Sequence, residues 1–209
     1  MRSAFALMAT GCLASIASAS IDFGPSPYLS IADSPFASSP GFQLEDFEDN
    51  VLNILGVTAS FGGPIGPGGN IDSVDADNGP IDGLGASGRS FFSGSGSLGI
   101  QFFFDLELLP QRAGLVWTDG AGTITFQAFD ANNQLITTIS GTHADGSFNS
   151  TTGEDRFYGV EHAAGIASIK ITNSSGGIEV DHLQYAYIPT PGGVALIGLG
   201  LLAGTRRRR

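Results

Sequence analysis

Between Ser20 and Tyr187, apolar residues do not recur at the three- and four-residue spacing of an amphipathic helix. What recurs is short apolar–polar alternation, broken by Gly, Asn, Asp and Ser. Successive strand residues point to opposite faces, so this pattern predicts half-buried strands joined by tight turns. The candidates are Val57–Phe61, Gly99–Leu106, Gly114–Thr118, Thr123–Asp130, Gln134–Ser140, Arg156–Val160, Ile166–Thr172 and Ile178–Tyr187. The stretch Ile21–Gln43, rich in Pro and Ser, is expected to be irregular.

Three of these segments carry sharper expectations. Thr123–Asp130 and Gln134–Ser140 should form a hairpin through Ala131-Asn132-Asn133, because Asn tolerates the positive φ of a tight loop. Ile124, Phe126 and Ala128 would share its inner face. In Ile166–Thr172, Ala167, Ile169 and Ile171 share one face, and Ser168, Lys170 and Thr172 should face solvent. In the last segment Ile178 and Val180 alternate, and then Leu183 and Tyr185 take over the apolar role, one residue out of phase. A bulge near Asp181-His182 explains this slip, and so does a strand that is apolar on both faces. About eight short strands in one domain predict an all-β fold. An antiparallel β-sandwich of jelly-roll type is expected, with a seven-stranded immunoglobulin-like sandwich as the rival.

The two ends break the pattern. Residues 1–19 read as a signal peptide: Arg2, an apolar stretch from Ala4 to Ile16, then Ala17-Ser18-Ala19. Signal peptidase requires small side chains at the first and third positions before its cut, which Ala19 and Ala17 supply, so cleavage after Ala19 is expected. Cys12, the only cysteine, lies inside this stretch, so the mature chain would have no thiol and no disulfide. Acylation at Cys12 is a competing reading, although the usual Leu is missing from the preceding Ala9-Thr10-Gly11.

At the other end, Pro189-Thr190-Pro191 precedes an uncharged Gly/Leu/Ala stretch from Gly192 to Thr205, and Arg206, Arg207, Arg208 and Arg209 close the chain. As a helix the stretch spans roughly 20 Å at about 1.5 Å per residue, a minimal transmembrane helix for a hydrocarbon core of about 30 Å. The arginines would stay cytoplasmic and leave the domain outside. A Pro-x-Pro motif, a short apolar helix and a terminal Arg cluster, in that order, resemble the PEP-CTERM sorting signal of bacterial envelope proteins. Thr190 stands where that family usually has Glu. The resemblance covers only about the last two dozen residues. It implies an exosortase-like sorting enzyme as partner, and an inner-membrane-anchored intermediate on the way to the cell envelope, cell surface or extracellular matrix. An ordinary tail anchor is the alternative, with the same topology. The expected organisation is therefore residues 1–19 signal peptide, 20–43 irregular, 44–187 β-sandwich domain and 188–209 sorting tail.

Charge adds to this picture. The chain has 209 residues, with 9 basic, 20 acidic and a formal net charge of −11. Five of the basic residues are Arg2 and the four terminal arginines, so the middle holds four basic residues against all 20 acidic ones, a net of −16. Phosphate binding relies on clustered Lys and Arg, so nucleic acid is excluded as a partner. Divalent cations and neutral extracellular sugars fit better, and acidity also keeps an exported protein soluble.

Candidate chemistry falls in three groups. Glu45-Asp46-Phe47-Glu48-Asp49 and the run Asn70 to Asn78, containing Asp72, Asp75 and Asp77, offer the closely spaced oxygens a structural Ca²⁺ takes, without EF-hand spacing. Phe47-Glu48-Asp49 together with Glu179-Val180-Asp181 is similar to carbohydrate-binding-type jelly rolls. That resemblance implies Glu48 and Asp181 as Ca²⁺ ligands. Trp117, Asp119, Arg156, Tyr158 and His182 are the residue types that stack on sugars or bond to their hydroxyls, although Trp117 and Tyr158 also suit a core. There is no Gly-x-Ser-x-Gly elbow, no His-Glu-x-x-His motif and no phosphate loop, and His143, His162 and His182 are scattered. The sequence therefore points to a non-catalytic surface or matrix protein associated with extracellular polysaccharide. A calcium-stabilised lectin-like module is the alternative, and a carbohydrate-active hydrolase comes third.

Overall fold

The computed structural model describes residues 19–68, 70–74, 88–148 and 152–188. Ten strands run through them: β1 (Ser20–Pro27), β2 (Gln43–Glu45), β3 (Val57–Ala59), β4 (Gly63–Ile65), β5 (Ser90–Ser93), β6 (Ile100–Phe104), β7 (Arg112–Phe129), β8 (Leu135–Gly141), β9 (Arg156–His162) and β10 (Ser168–Ala186). Every pairing is antiparallel, as the alternation predicts.

Two expected pairs of strands are in fact single long ones. Gly114–Thr118 and Thr123–Asp130 merge into β7, and the last two candidates merge into β10. These two strands pair along their whole length, from Arg112↔Ala186 to Phe129↔Ser168. The first half of β7 carries β9 and then β1 on its other side, and its second half carries β8. On β10 the first half carries β6 and β3, and the second half carries β5 and β2.

The two halves face each other. Tyr158 pairs with Leu115 in the first half, yet its ring stacks on Phe126 of the second half at 6.1 Å. Along an extended strand Leu115 and Phe126 would be roughly 36 Å apart at about 3.3 Å per residue, so β7 must fold over between them. It does so at Gly120-Ala121-Gly122. Gly122 has φ +85°, a left-handed conformation that strains any side chain, and a Cβ there would also have to displace Ser174 Oγ from 2.1 Å. The pairing with β10 slips on both sides of Ser175, opposite this corner. The result is an antiparallel β-sandwich whose two layers share β7 and β10. Phe91–Phe102 at 5.3 Å and Phe104–Tyr185 at 5.6 Å close the core between the layers. Ile124, Phe126, Ala128, Ile169 and Ile171 are all fully buried there.

The hairpin forms as predicted. Asn133 has φ +57°, and Asp130 Oδ1 accepts the N–H groups of Asn132 and Gln134 at 2.9 and 2.8 Å. Ser168 departs from the expected solvent face, being buried with its hydroxyl bonded to Gln101 Nε2 at 3.0 Å.

The N-terminal stretch is more ordered than its composition suggests. β1 pairs with β9 from Ser20↔His162 to Pro27↔Arg156, slipping at Gly24-Pro25. An edge strand bonds on one side only, which is why prolines are tolerated there. Tyr28 and Phe36 follow and form a second core with Val74, Val116 and Phe157 on the outer face of the β7–β9 layer. The second half of β10 is consequently covered on both faces, and every residue from Ile178 to Ala186 is buried. The expected bulge is also present: the register slips between Asp181 and Gln184, and His182 has φ +42°. Both explanations of the phase change hold together.

Candidate functional site

Ile178, Val180, Leu183 and Tyr185 of β10 enter the main core. The polar residues between them face the outer layer and are held there by bonds. Glu179 Oε1 accepts the Asp72 N–H at 3.0 Å and the Ser90 hydroxyl. Asp181 Oδ2 accepts the Val74 N–H at 2.9 Å and the Ser73 hydroxyl at 3.1 Å. His182 Nδ1 meets the Tyr28 hydroxyl at 3.0 Å, and Gln184 Nε2 bonds the same oxygen at 3.3 Å. Unpaired buried polar groups are costly, so these bonds account for the placement of residues 28 and 72–74 over β10.

At the corner this polar row opens to solvent. Asp119, Glu179, Phe92 and Gly63 are successive ladder partners across β7, β10, β5 and β4. Directly opposed residues have Cβ atoms about 4.5–5.5 Å apart, so the two carboxyls and the ring form one row. Beside it lies a cleft of about 310 Å³, lined by Asp119, Glu179, Phe92, Ala121, Phe148 and Ile178 with several glycines. Phe148 is 67% exposed and Phe92 37%, whereas Glu179 is only 3% exposed and sits at the base. The Phe92 ring packs over Gly177, where a Cβ would come within 2.7 Å of it.

The carboxyls here are held toward their protonated forms. Burial pushes Glu179 up to about 8; the Ser90 and Asp72 bonds oppose this, and the charges of Asp119 and Asp181 add to it. Burial likewise raises Asp119 to about 6, opposed by a backbone bond from Gly120 and reinforced by Asp145. Glu154 rises to about 7, again mainly through burial, and its Oε2 accepts the Asp145 N–H at 2.7 Å.

The chain matches no protein-family model and no curated protein sequence. Two crystal structures are similar to it. One is a cleaved adhesin domain of Lys-gingipain from Porphyromonas gingivalis, with TM-score 0.41 and 16% identity, covering 70% of this chain and 98% of that one. The other holds N-terminal endo-1,4-β-D-xylanase 10B modules of Clostridium thermocellum complexed with xylohexaose, with TM-score 0.37 and 17% identity, covering 70% of this chain. This chain matches 28% of the length of the xylanase chain.

The residues expected to bind sugar separate. Asp119 lines the cleft. Trp117 and Tyr158 are fully buried, with their rings in the main core against His143 and Phe126, which corrects their assignment as stacking platforms. Inward alternation in β7 and β9 puts them there. Arg156 pairs with Trp117 across the ladder, and its guanidinium bonds the carbonyls of Asp155 at 2.8 Å and Gly153 at 3.3 Å. His182 lies in the outer layer against Tyr28.

The expected Ca²⁺ ligands also separate. Glu48 is exposed and accepts the Arg89 N–H at 2.5 Å, whereas Asp181 is buried on Ser73 and Val74. The acidic residue that organises the early cluster is Glu45, which accepts N–H bonds from Phe47, Asn53 and Ile54 at 3.1, 2.8 and 2.8 Å. Asp72 is buried beside Glu179. Among the described residues, no group of three or more His, Cys, Asp or Glu side chains is placed to hold a metal ion. Asp75 and Asp77 lie outside the described residues, as do Ala17, Pro189, Thr190, Pro191 and Arg206 to Arg209. Ala19 is exposed and directly precedes β1. The described residues contain no helix long and apolar enough to cross a membrane, and the predicted tail helix lies outside them.

Glu179, Phe92 and Phe148 were not among the candidates. A carboxylate alternating with Ile178 and Val180 was the available signal for Glu179. For Phe148 it was an aromatic residue set in a Gly-Ser-Phe-Asn loop.

Proposed function

We propose that this is an exported, envelope-sorted, non-catalytic surface or matrix protein, and that its corner cleft holds a sugar unit of extracellular polysaccharide. The carrying observation is the cleft itself, where exposed rings of Phe92 and Phe148 stand beside the carboxyls of Asp119 and Glu179. Sugar rings offer an apolar C–H face to aromatics and hydroxyls to carboxyls, and binding sites combine apolar walls with a few fixed polar groups. The export reading rests on the signal-like residues 1–19 and the sorting-type tail.

The placement of the cleft suits a tethered protein. Arg112 pairs with Ala186, where β10 ends, and Asp119 pairs with Glu179 seven residues along. The cleft is therefore roughly 23 Å from the point where the tail departs, at about 3.3 Å per residue. An arrested tail would leave the cleft facing outward.

The opposed carboxyls favour one second reading, a glycoside hydrolase with Glu179 as acid and Asp119 as its partner. Against it, Glu179 is nearly buried, and one of its oxygens is occupied by Asp72 and Ser90. Glycan-array binding followed by titration calorimetry tests the main reading. Phe148→Ala should lower affinity about tenfold, the order of one lost aromatic contact, with unchanged melting. Wild-type-level binding by both Phe148→Ala and Phe92→Ala would remove the cleft from the function. Release of reducing ends by pure protein, abolished in Glu179→Gln, would establish the hydrolase instead.

A further inference from the structure

We infer that the corner cleft selects a glycan unit carrying a protonated amine, such as a hexosamine without its N-acyl group. This rests on the sugar-binding reading above and narrows its ligand class. The first ground is the row itself: two carboxyls face each other across β7 and β10 with an aromatic ring next in line, and among the described residues no Lys, Arg or His lines the cleft.

The second ground lies behind the cleft wall. Residues 146–148 form part of that wall, and Asp145 and Glu154 back it, joined by the Asp145 N–H bond. Glu154 is 4% exposed, and its Oε1 has no hydrogen-bond partner among the described residues. The charge of Asp145 acts on Asp119, those of Asp145 and Asp119 act on Glu154, and those of Asp119 and Asp181 act on Glu179. The neighbouring cation, Arg156, spends its bonds on the backbone carbonyls of Gly153 and Asp155. Acidic groups thus crowd the cleft, their mutual repulsion adding to burial in raising Asp119, Glu154 and Glu179, and no cation stands among the described residues of its lining to relieve it.

The third ground decides which cation fits. Ca²⁺ takes six to eight oxygens at about 2.3–2.6 Å, and the described residues converge on no such set. The cleft is instead largely apolar, with Phe92, Phe148, Ala121 and Ile178 around the two carboxyls. An organic ammonium on a sugar ring matches both parts. Its nitrogen meets carboxylate oxygens, and its C–H face and cationic edge meet aromatic rings. Asp119, raised only to about 6, is the cleft carboxyl that ionises first, and a neutral sugar would bring it no counter-charge.

The test uses the full-length chain and three probes of equal length: a glucosamine hexamer, its fully N-acetylated counterpart and a neutral glucan hexamer. Calorimetry at pH 6 and low salt should give about tenfold tighter binding for the amine hexamer, the order expected of one partly desolvated charge pair. Asp119→Asn should remove most of that preference, weakening the amine hexamer several-fold more than the N-acetylated one. Equal binding of the amine and N-acetylated hexamers, or preference for the neutral glucan, would overturn amine selection and leave sugar binding standing. Failure of all three to bind would overturn the sugar-binding reading itself. A lysine-rich peptide that matched the amine hexamer and showed the same sensitivity to Asp119→Asn would move the site from glycans to proteins.

Discussion

Replacing Glu179 by Gln should stabilise the protein at alkaline pH and leave it nearly unchanged in acid. Glu179 is 3% exposed and holds its proton up to about pH 8, against 4.5 for an unperturbed Glu. Folding therefore favours the protonated form. The stability contributed by this group is fully present below pH 4.5, falls as pH rises, and is gone above about 8. At about 1.4 kcal/mol per pH unit, the span from 4.5 to about 8 corresponds to a ceiling of roughly 5 kcal/mol. Partial solvation of the cleft brings the measurable part to about 2–4 kcal/mol. Gln keeps an oxygen to accept the Asp72 N–H and the Ser90 hydroxyl, so the substitution removes charge and preserves those bonds. Thermal melts of both proteins from pH 4 to pH 9 at fixed ionic strength provide the assay. The variant should melt roughly 5–15 °C higher at pH 9 and within a few degrees at pH 4. Parallel melting curves across the range would show that Glu179 is ionised in the folded protein, and the account of its burial would be wrong.

Three further outcomes follow from single contacts. Glu45→Ala strands the N–H groups of Phe47, Asn53 and Ile54, and urea unfolding should register a loss of about 3 kcal/mol, with Glu45→Gln losing less. The Tyr158 hydroxyl is buried with no partner among the described residues, so Tyr158→Phe should match or exceed wild-type stability. A loss of more than about 2 kcal/mol would reveal a bound water or other partner there. Gly99 has φ +71°, and a Cβ there would sit 2.1 Å from the Ile171 carbonyl oxygen, so Gly99→Ala should lower the melting temperature by at least about 5 °C.

Strand alternation alone located most of the fold. It placed Ile124, Phe126 and Ala128 inward and caught the slip at Asp181-His182, because both depend on period-two burial in a single strand. It missed the continuity of β7 and β10, because Gly120, Gly122 and Gly176 read as strand ends when they are corners within strands. It also missed β1 and the outer core, whose Tyr28 and Phe36 sit among residues typical of loops. The site was harder to read. Trp117 and Tyr158 have the right chemistry for a sugar, but the inward face of each strand decides their fate. Asp119 reaches the cleft because β7 turns there, and Glu179 joins it from 60 residues away through pairing that no local pattern encodes.

The position of β10 has a mechanical consequence. It is an interior strand, held by β7 on one side and by β2 and β5 on the other along the segment nearest the tail. A pull on the chain beyond Ala186, resisted by something gripped at the corner, runs along the strand axis. The ladder bonds between Ile178 and Ala186 would then be loaded together and in shear, with none exposed to be peeled first. A protein anchored through that strand would yield to drag only when many bonds break at once, so its grip under flow would outlast what its equilibrium stability suggests.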